Sequence, residues 1–145
     1  MSTHDFATLI RAMASAVCRG DGRGAARCFS ADGVYHDHFY GEFAGREAIE
    51  KMVVGCFHRD AERLKWDILD PCSDGANGYA RYAFSYTAKM PGSEGKRVAY
   101  TGMLHCRLAD GLIVHYAEAF DRGPVLLQLG FPDARIIKSL RKSLS

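Results

Sequence analysis

The sequence predicts an α+β fold, a curved antiparallel sheet wrapped by helices from its N-terminal part, on three observations. Apart from one short strand, residues up to Arg59 carry apolar positions at helical spacing, whereas the chain from Leu64 onward alternates at the two-residue period of strands. Between the last two extended runs stands Asp110-Gly111, the dipeptide of a tight hairpin. Helices gathered ahead of consecutive antiparallel strands must bury their apolar stripes on that sheet.

Taken in order, the first helix runs from about Asp5 to Arg19. Thr3 or Asp5 caps it, Phe6, Leu9, Ile10, Met13 and Val17 form its apolar stripe, and Gly20-Asp21-Gly22 ends it. A second, short helix covers about Gly24 to Phe29, the Ser30-Ala31-Asp32-Gly33 turn comes next, and Val34 to Phe39 is a strand. Tyr40 to Gly45 reads as a loop, and Arg46 to Arg59 as a third helix with Ile49, Met52, Val53, Cys56 and Phe57 on one face. Leu64 to Leu69, Tyr79 to Met90, Arg97 to Leu108 and Leu112 to Phe120 are strands. The basic tail from Arg135 to Lys142 carries Ile136, Ile137, Leu140 and Leu144 at helical spacing, which predicts a short amphipathic helix with a solvated face.

At 145 residues the chain has the length of one domain, 1–145, and its 48% hydrophobic and 25% charged residues are an ordinary globular balance. A net charge of +2 with both signs interspersed excludes the concentrated basic face of a nucleic-acid binder. No run approaches the roughly 18 apolar residues of a membrane span, and MSTHDF lacks the basic lead of a signal peptide, so a cytoplasmic protein is expected. The five cysteines, Cys18, Cys28, Cys56, Cys72 and Cys106, show neither a C-x-x-C nor zinc-ligand spacing and read as packing residues, with Cys106 kept as a marginal pocket candidate.

Several side chains can carry chemistry. Asp37 shares alternate strand positions with Tyr35 and Phe39. Turned inward, it is a carboxylate against aromatic walls, where desolvation raises its pKa and makes a better general base. Otherwise it caps a backbone amide or pairs with an arginine. Tyr35 either meets a substrate oxygen or is core. With Asp110-Gly111 as the turn, Ala109 faces Leu112, so His105 faces Tyr116 and Met103 faces Glu118, which converges an imidazole, a phenol and a carboxylate. His36 and His38 have a spacing that a metal can use, with His115 or Asp121 as a third ligand, but a structural or dimer role is preferred and no metal or cofactor is expected. His58 complements a helix dipole at the end of the third helix. Trp66, Tyr82, Phe84, Tyr86 and Tyr116 are sheet-on-helix aromatics, some of which would line any enclosed pocket and suit a flat apolar ligand.

Phe29-Ser30-Ala31-Asp32-Gly33-Val34-Tyr35-His36-Asp37, Phe43-Ala44-Gly45-Arg46-Glu47-Ala48-Ile49, Asp110-Gly111-Leu112-Ile113, Tyr116-Ala117-Glu118-Ala119-Phe120-Asp121 and Gln128-Leu129-Gly130 resemble the nuclear transport factor 2-like superfamily, in its SnoaL-like and ketosteroid isomerase-like branch. The resemblance implies a cone whose sheet curves round a pocket, and a homodimer through the outer sheet face. It sets Asp37 where ketosteroid isomerases hold the proton-moving carboxylate, and Tyr35, Asp37 and Glu118 at positions that limonene epoxide hydrolases use. It also sets Met13 and Met103 where the isomerases place their oxyanion donors, and Arg81 with Ala83 where the hydrolases have arginine and aspartate, so neither named activity carries over whole.

The expected function is therefore acid–base chemistry on a hydrophobic, oxygen-bearing ring compound, of isomerase, cyclase, dehydratase or hydrolase type. Asp37 would be the base, His105 or Glu118 its partner, Tyr35 an orienting group, and Trp66, Tyr82, Phe84, Tyr116, Met103 and Met13 the substrate contacts. The competing class is a small-ligand-binding or accessory dimer without chemistry, and a third is a transport or scaffold module with an exposed apolar groove.

Overall fold

The computed structural model describes residues 1–144. Helices α1 (Thr3–Cys18) and α2 (Gly22–Arg27) precede β1 (Phe29–Asp37) and the short β2 (Gly41–Ala44). Then come α3 (Arg46–Met52), a π-helical stretch at Val53–Phe57 and a single turn, α4 (His58–Asp60). Strands β3 (Ala61–Ser73), β4 (Asn77–Ala88), β5 (Arg97–Ala109) and β6 (Leu112–Ala119) are next, and α5 (Arg122–Gln128) and α6 (Asp133–Lys142) complete the described chain. The six strands form one open, curved sheet in the order β2-β1-β6-β5-β4-β3. Neighbours are antiparallel except β1 and β6, which run parallel.

The α1 stripe forms as the spacing predicts: Phe6, Ile10, Met13 and Val17 are each 0% exposed, and α1 packs on β3. Each such side chain contributes roughly 1.5–3 kcal/mol on burial. The cap is Ser2, not Thr3 or Asp5, because Ser2 has extended backbone and its Oγ accepts from Asp5 N–H at 3.0 Å. Asp21 caps α2 by accepting from Gly24 N–H at 2.8 Å. Ser30 to Gly33, expected as a turn, belongs to β1, whose register with β6 shifts between Phe29 and Val34. Phe43, expected in a loop, sits in β2 opposite Tyr35. The third helix does not run evenly to Arg59, since its middle loosens into π-helix from Val53. The tail does form the predicted amphipathic helix, whereas α5 was not foreseen: Asp121 caps it, accepting from Gly123 N–H at 3.1 Å. None of the described helices is long and apolar enough to cross a membrane.

Bulges shape the sheet. Strand β3 shifts register against β4 twice, and Arg63 (φ 52°) and Asp70 (φ 49°) take the left-handed conformation at those places, which bends and twists the strand. The hairpin turn is as read, with Asp110 and Gly111 at φ 53° and 76° and Ala109 opposite Leu112. Beyond it, however, Leu108 pairs with Ile113 and Arg107 with His115, so Val114 is an extra residue. That one insertion reverses the expected partners: Tyr116 faces Cys106, Glu118 faces Leu104, and Met103 faces Ala119. A one-residue slip moves a side chain to the other face, and His105 and Met103 consequently stand on the outer surface.

The inner face has an especially close approach at Gly78. A Cβ on Gly78 would run into the ring of the fully buried Phe6, which has no room to retreat. Gly78→Ala should therefore destabilise the protein by about 1–3 kcal/mol, as overpacking does. Urea unfolding should show a lower midpoint at unchanged slope; an unchanged midpoint would mean α1 is not seated on β4 as described.

Candidate functional site

Between the inner sheet face, Phe57 of the π-helical stretch and the C-terminal segment lies a cavity of about 290 Å³. Its size is near the lower end of the ~300–1,000 Å³ usual for small-molecule sites. Alternation along β1 delivers Tyr35 and Asp37 to it, β4 delivers Tyr82, Phe84 and Tyr86, β5 delivers Tyr100 and β6 delivers Glu118. Trp66 of β3 meets Tyr82 and Phe84 edge to face at 6.0 and 5.6 Å, a favoured aromatic geometry. Leu126, Leu129 and Phe131 close the far side. Asp37, Asp60 and Glu118 are the ionisable carboxyls of the lining, and no basic side chain joins them among the described residues.

Because β1 and β6 run side by side in parallel, Tyr35 pairs with Tyr116 and their rings stack at 4.3 Å. Two residues further along each strand stand Asp37 and Glu118. Glu118 is well supplied with donors: Tyr116 Oη–H gives to Oε2 at 2.9 Å, Tyr82 Oη–H to Oε2 at 3.3 Å, and His38 N–H to Oε1 at 3.3 Å. Asp37 is 3% exposed, and its Oδ1 is buried without a partner in hydrogen-bond geometry.

This asymmetry decides the charge. Burial, then the nearby Glu118 carboxylate, pushes Asp37 from its ordinary 3.8 up to about 8, against a smaller pull from the Phe39 and Tyr40 amides. Burial also raises Glu118, but its three donors and Asp37 favour its charged form. Two carboxyls this close do not both ionise in a dry site. At neutral pH Asp37 keeps its proton, and Glu118, which collects the donors, is the member of the pair better placed to carry the negative charge. Such a pair can give a proton to one substrate atom and take one from another. Asp60 stands apart, held ionised by a bidentate Arg59 at 2.8 and 2.7 Å and by Tyr40 Oη–H at 2.7 Å.

Of the residues singled out in the sequence, Asp37, Glu118, Tyr35, Trp66, Tyr82, Phe84 and Tyr86 line the cavity, and fully buried Tyr116 lies beneath it, bonded to Glu118. Other candidates do not join them. His105 is on the outer face, its Nε2 2.9 Å from Asn77 Oδ1 and its ring 4.9 Å from Tyr79, because the Val114 bulge changed its side. Met103 is 51% exposed on that same face, and Met13 is spent in the α1 core. Arg81 too points outward, bound to Asp70 at 2.6 Å, so it is no counterpart of a pocket arginine. Cys106 is sealed in the core, where burial pushes its thiol up and leaves it inert. His38 lies past the end of β1 against Phe120 and does not share a site with His36. Missed by the sequence reading were Tyr40, Phe57, Tyr100 and the C-terminal Leu126, Leu129 and Phe131; of these Tyr100 was legible from strand alternation with Val98.

Asp37 carries its proton in the folded state over a pH range where the unfolded chain has lost it. A raised folded pKa means stability that is complete below about 4 and is lost as pH climbs toward 8. Asp37→Asn should thus be more stable than the parent by on the order of 5 kcal/mol at pH 9 and nearly equal to it at pH 4. Thermal or urea unfolding at the two pH values checks this, and an equal difference at both would contradict the buried acid.

The sequence profile of the SnoaL-like domain matches residues 10–116. No curated protein matches the chain. Among solved structures, a protein of ketosteroid isomerase-like fold from Catenulispora acidiphila, determined in complex with trimethylamine, superposes with a TM-score of 0.76 at 22% identity, over 86% of this chain and 93% of that one. A putative polyketide cyclase from Xanthomonas campestris gives 0.73 at 16% identity over 89% and 99%. An LEH-like epoxide hydrolase from M. tuberculosis gives 0.72 at 16% over 97% and 98%. At these identities the structural likeness speaks for the fold, and the profile match over residues 10–116 for the family: the chain belongs to the SnoaL-like domain family.

Proposed function

We propose that residues 1–145 act as one catalytic domain that performs acid–base chemistry, without a cofactor, on a hydrophobic, oxygen-bearing ring compound. The reaction is of isomerase, cyclase, dehydratase or hydrolase type. The observation that carries this reading is the pairing of a buried Asp37, held protonated, with a Glu118 carboxyl that collects three hydrogen-bond donors, both facing a cavity walled by aromatic rings. Asp37, expected from the sequence to be the base, enters the cycle as the acid and protonates the substrate oxygen. Glu118, steadied by Tyr116, Tyr82 and the His38 amide, accepts a proton from carbon or water. Tyr35 helps to orient the substrate from the lining, and Trp66, Tyr82 and Phe84 supply apolar contact. His105 has no part, being on the other side of the sheet. The polyketide cyclase and epoxide hydrolase names among the structural neighbours are consistent with chemistry of this kind.

A homodimer through the outer face belongs to the same reading, since Met103 (51%) and Tyr79 (41%) stand exposed there. Five free thiols suit a reducing compartment, which favours the cytoplasm.

A second reading has its own support. An ionised carboxylate ringed by tyrosines and Trp66 suits a cationic amine, and the trimethylamine complex is a neighbour of the same fold. In that case the protein is a ligand-binding or accessory dimer without turnover.

The test is α-hydrogen exchange of cyclic ketones in D2O and hydration of cyclic epoxides, each followed by NMR. Turnover should fall about a hundredfold or more in Asp37→Asn and in Glu118→Gln with the fold intact. It should also fall as pH rises through about 8, where Asp37 loses the proton it must donate. Ligands that bind but never react, equally in parent and variants, would decide for the binding reading.

A further inference from the structure

The outer face of the sheet carries a second constellation, unconnected with the cavity. Strands β2, β1 and β6 lie side by side, and Glu42, His36 and His115 project from them in turn. Register fixes the arrangement: Glu42 is the direct partner of His36, and His115, paired with Val34, sits one strand over and two residues back. His36 Nδ1 is 3.7 Å from Glu42 Oε1, and the two imidazoles meet edge to face at 6.5 Å. One ligating atom from each of the three side chains lies within 4.8 Å of the others.

We propose that His36, Glu42 and His115 form a binding site for a divalent transition-metal ion of the zinc class. Two imidazoles and a carboxylate are borderline donors that suit zinc or its neighbours in the first row, and not calcium or magnesium, which take oxygen ligands. Bonds of about 2.0–2.2 Å to a common ion need the donor atoms roughly 3.4 Å apart, so side-chain rotations of about an ångström complete the set. The backbone needs no movement, because three hydrogen-bonded strands hold the Cα positions.

A surface ion pair accounts for His36 and Glu42 alone. It leaves His115 with no hydrogen bond among the described residues, turned toward His36 across the strand pair. With His36 and Glu42 exposed and His115 half-buried, an ion has access from solvent, and a water occupies its remaining coordination position. Arg107, paired with His115 on β5, is the positive charge nearest the cluster and opposes the ion. The site faces away from Asp37 and Glu118, so it neither needs nor serves their chemistry.

The experiment uses the untagged full chain, stripped of metal, titrated with Zn2+ by calorimetry and with Co2+ by visible absorption. One ion per chain should bind with a roughly micromolar Kd, and Co2+ should give the d–d bands of a low-coordinate site. His36→Ala and His115→Ala should each weaken binding about tenfold or more, Glu42→Gln severalfold, and Arg107→Ala should tighten it. Circular dichroism and thermal melting of each metal-free variant confirm that the fold persists. No binding at about 100 µM metal, or an affinity unchanged in both histidine variants, would overturn the assignment.

Discussion

Two carboxyl groups placed two residues beyond a stacked tyrosine pair impose the main constraint on this molecule. Strands β1 and β6 run parallel, so the residues beyond Tyr35 lie beside those beyond Tyr116, and two positions along stand Asp37 and Glu118. Ionised together in a space shielded from water they would repel each other, which disfavours the doubly charged pair. The surroundings resolve this unequally. Tyr116, Tyr82 and the His38 amide give hydrogen bonds to Glu118, while Asp37 Oδ1 has none, and the proton settles on Asp37. Tyr82 owes its place to Gly102, where a Cβ would lie 2.5 Å from the Tyr82 hydroxyl oxygen, and the stack owes its place to the strand register. The site is an outcome of backbone decisions made well away from it.

Much of this was legible in the sequence. Helical spacing located α1 and its buried face, the change of period after Arg59 located the four long strands, and odd-numbered alternation put Tyr35 and Asp37 on one side. The failures have physical causes that no periodicity records. An extra residue in a β-ladder leaves no compositional trace: Val114 is as good a strand residue bulged as paired, yet it transfers His105 and Met103 to the far surface. Helix α5 contains Gly123 and Pro124 near its start, which read as a loop although a first turn tolerates them behind the Asp121 cap. The short β2 has too few residues to show a period, and its existence depends on the edge of β1 being open. Contacts such as Phe57 and Phe131 come from folding distant segments together, which only three-dimensional structure supplies.

The sheet separates two chemistries. Its inner face concentrates acids and aromatic rings around one cavity, and its outer face carries His36, His105 and His115 and the exposed Tyr79 and Met103. Strand alternation makes the division economical: Asp37 and His36 are consecutive, and their side chains lie on opposite surfaces. Changes to one face can therefore accumulate with little effect on the other, which is one way a single fold hosts many activities.

Polar atoms left unpaired around the cavity say what a ligand must bring. Asp37 Oδ1 and Trp66 Nε1 are both buried without partners, and each unpaired buried group costs about 1–3 kcal/mol. The cost is concentrated beside an otherwise well-packed aromatic wall, and a core built only for stability would have replaced both groups with apolar ones. Asp37 Oδ1 is left open beside the cavity, and the Trp66 N–H has no acceptor among the described residues. Strain of this kind, held in place by the β1 and β6 register, ties the stability lost by burying Asp37 to the reactivity that the same burial creates.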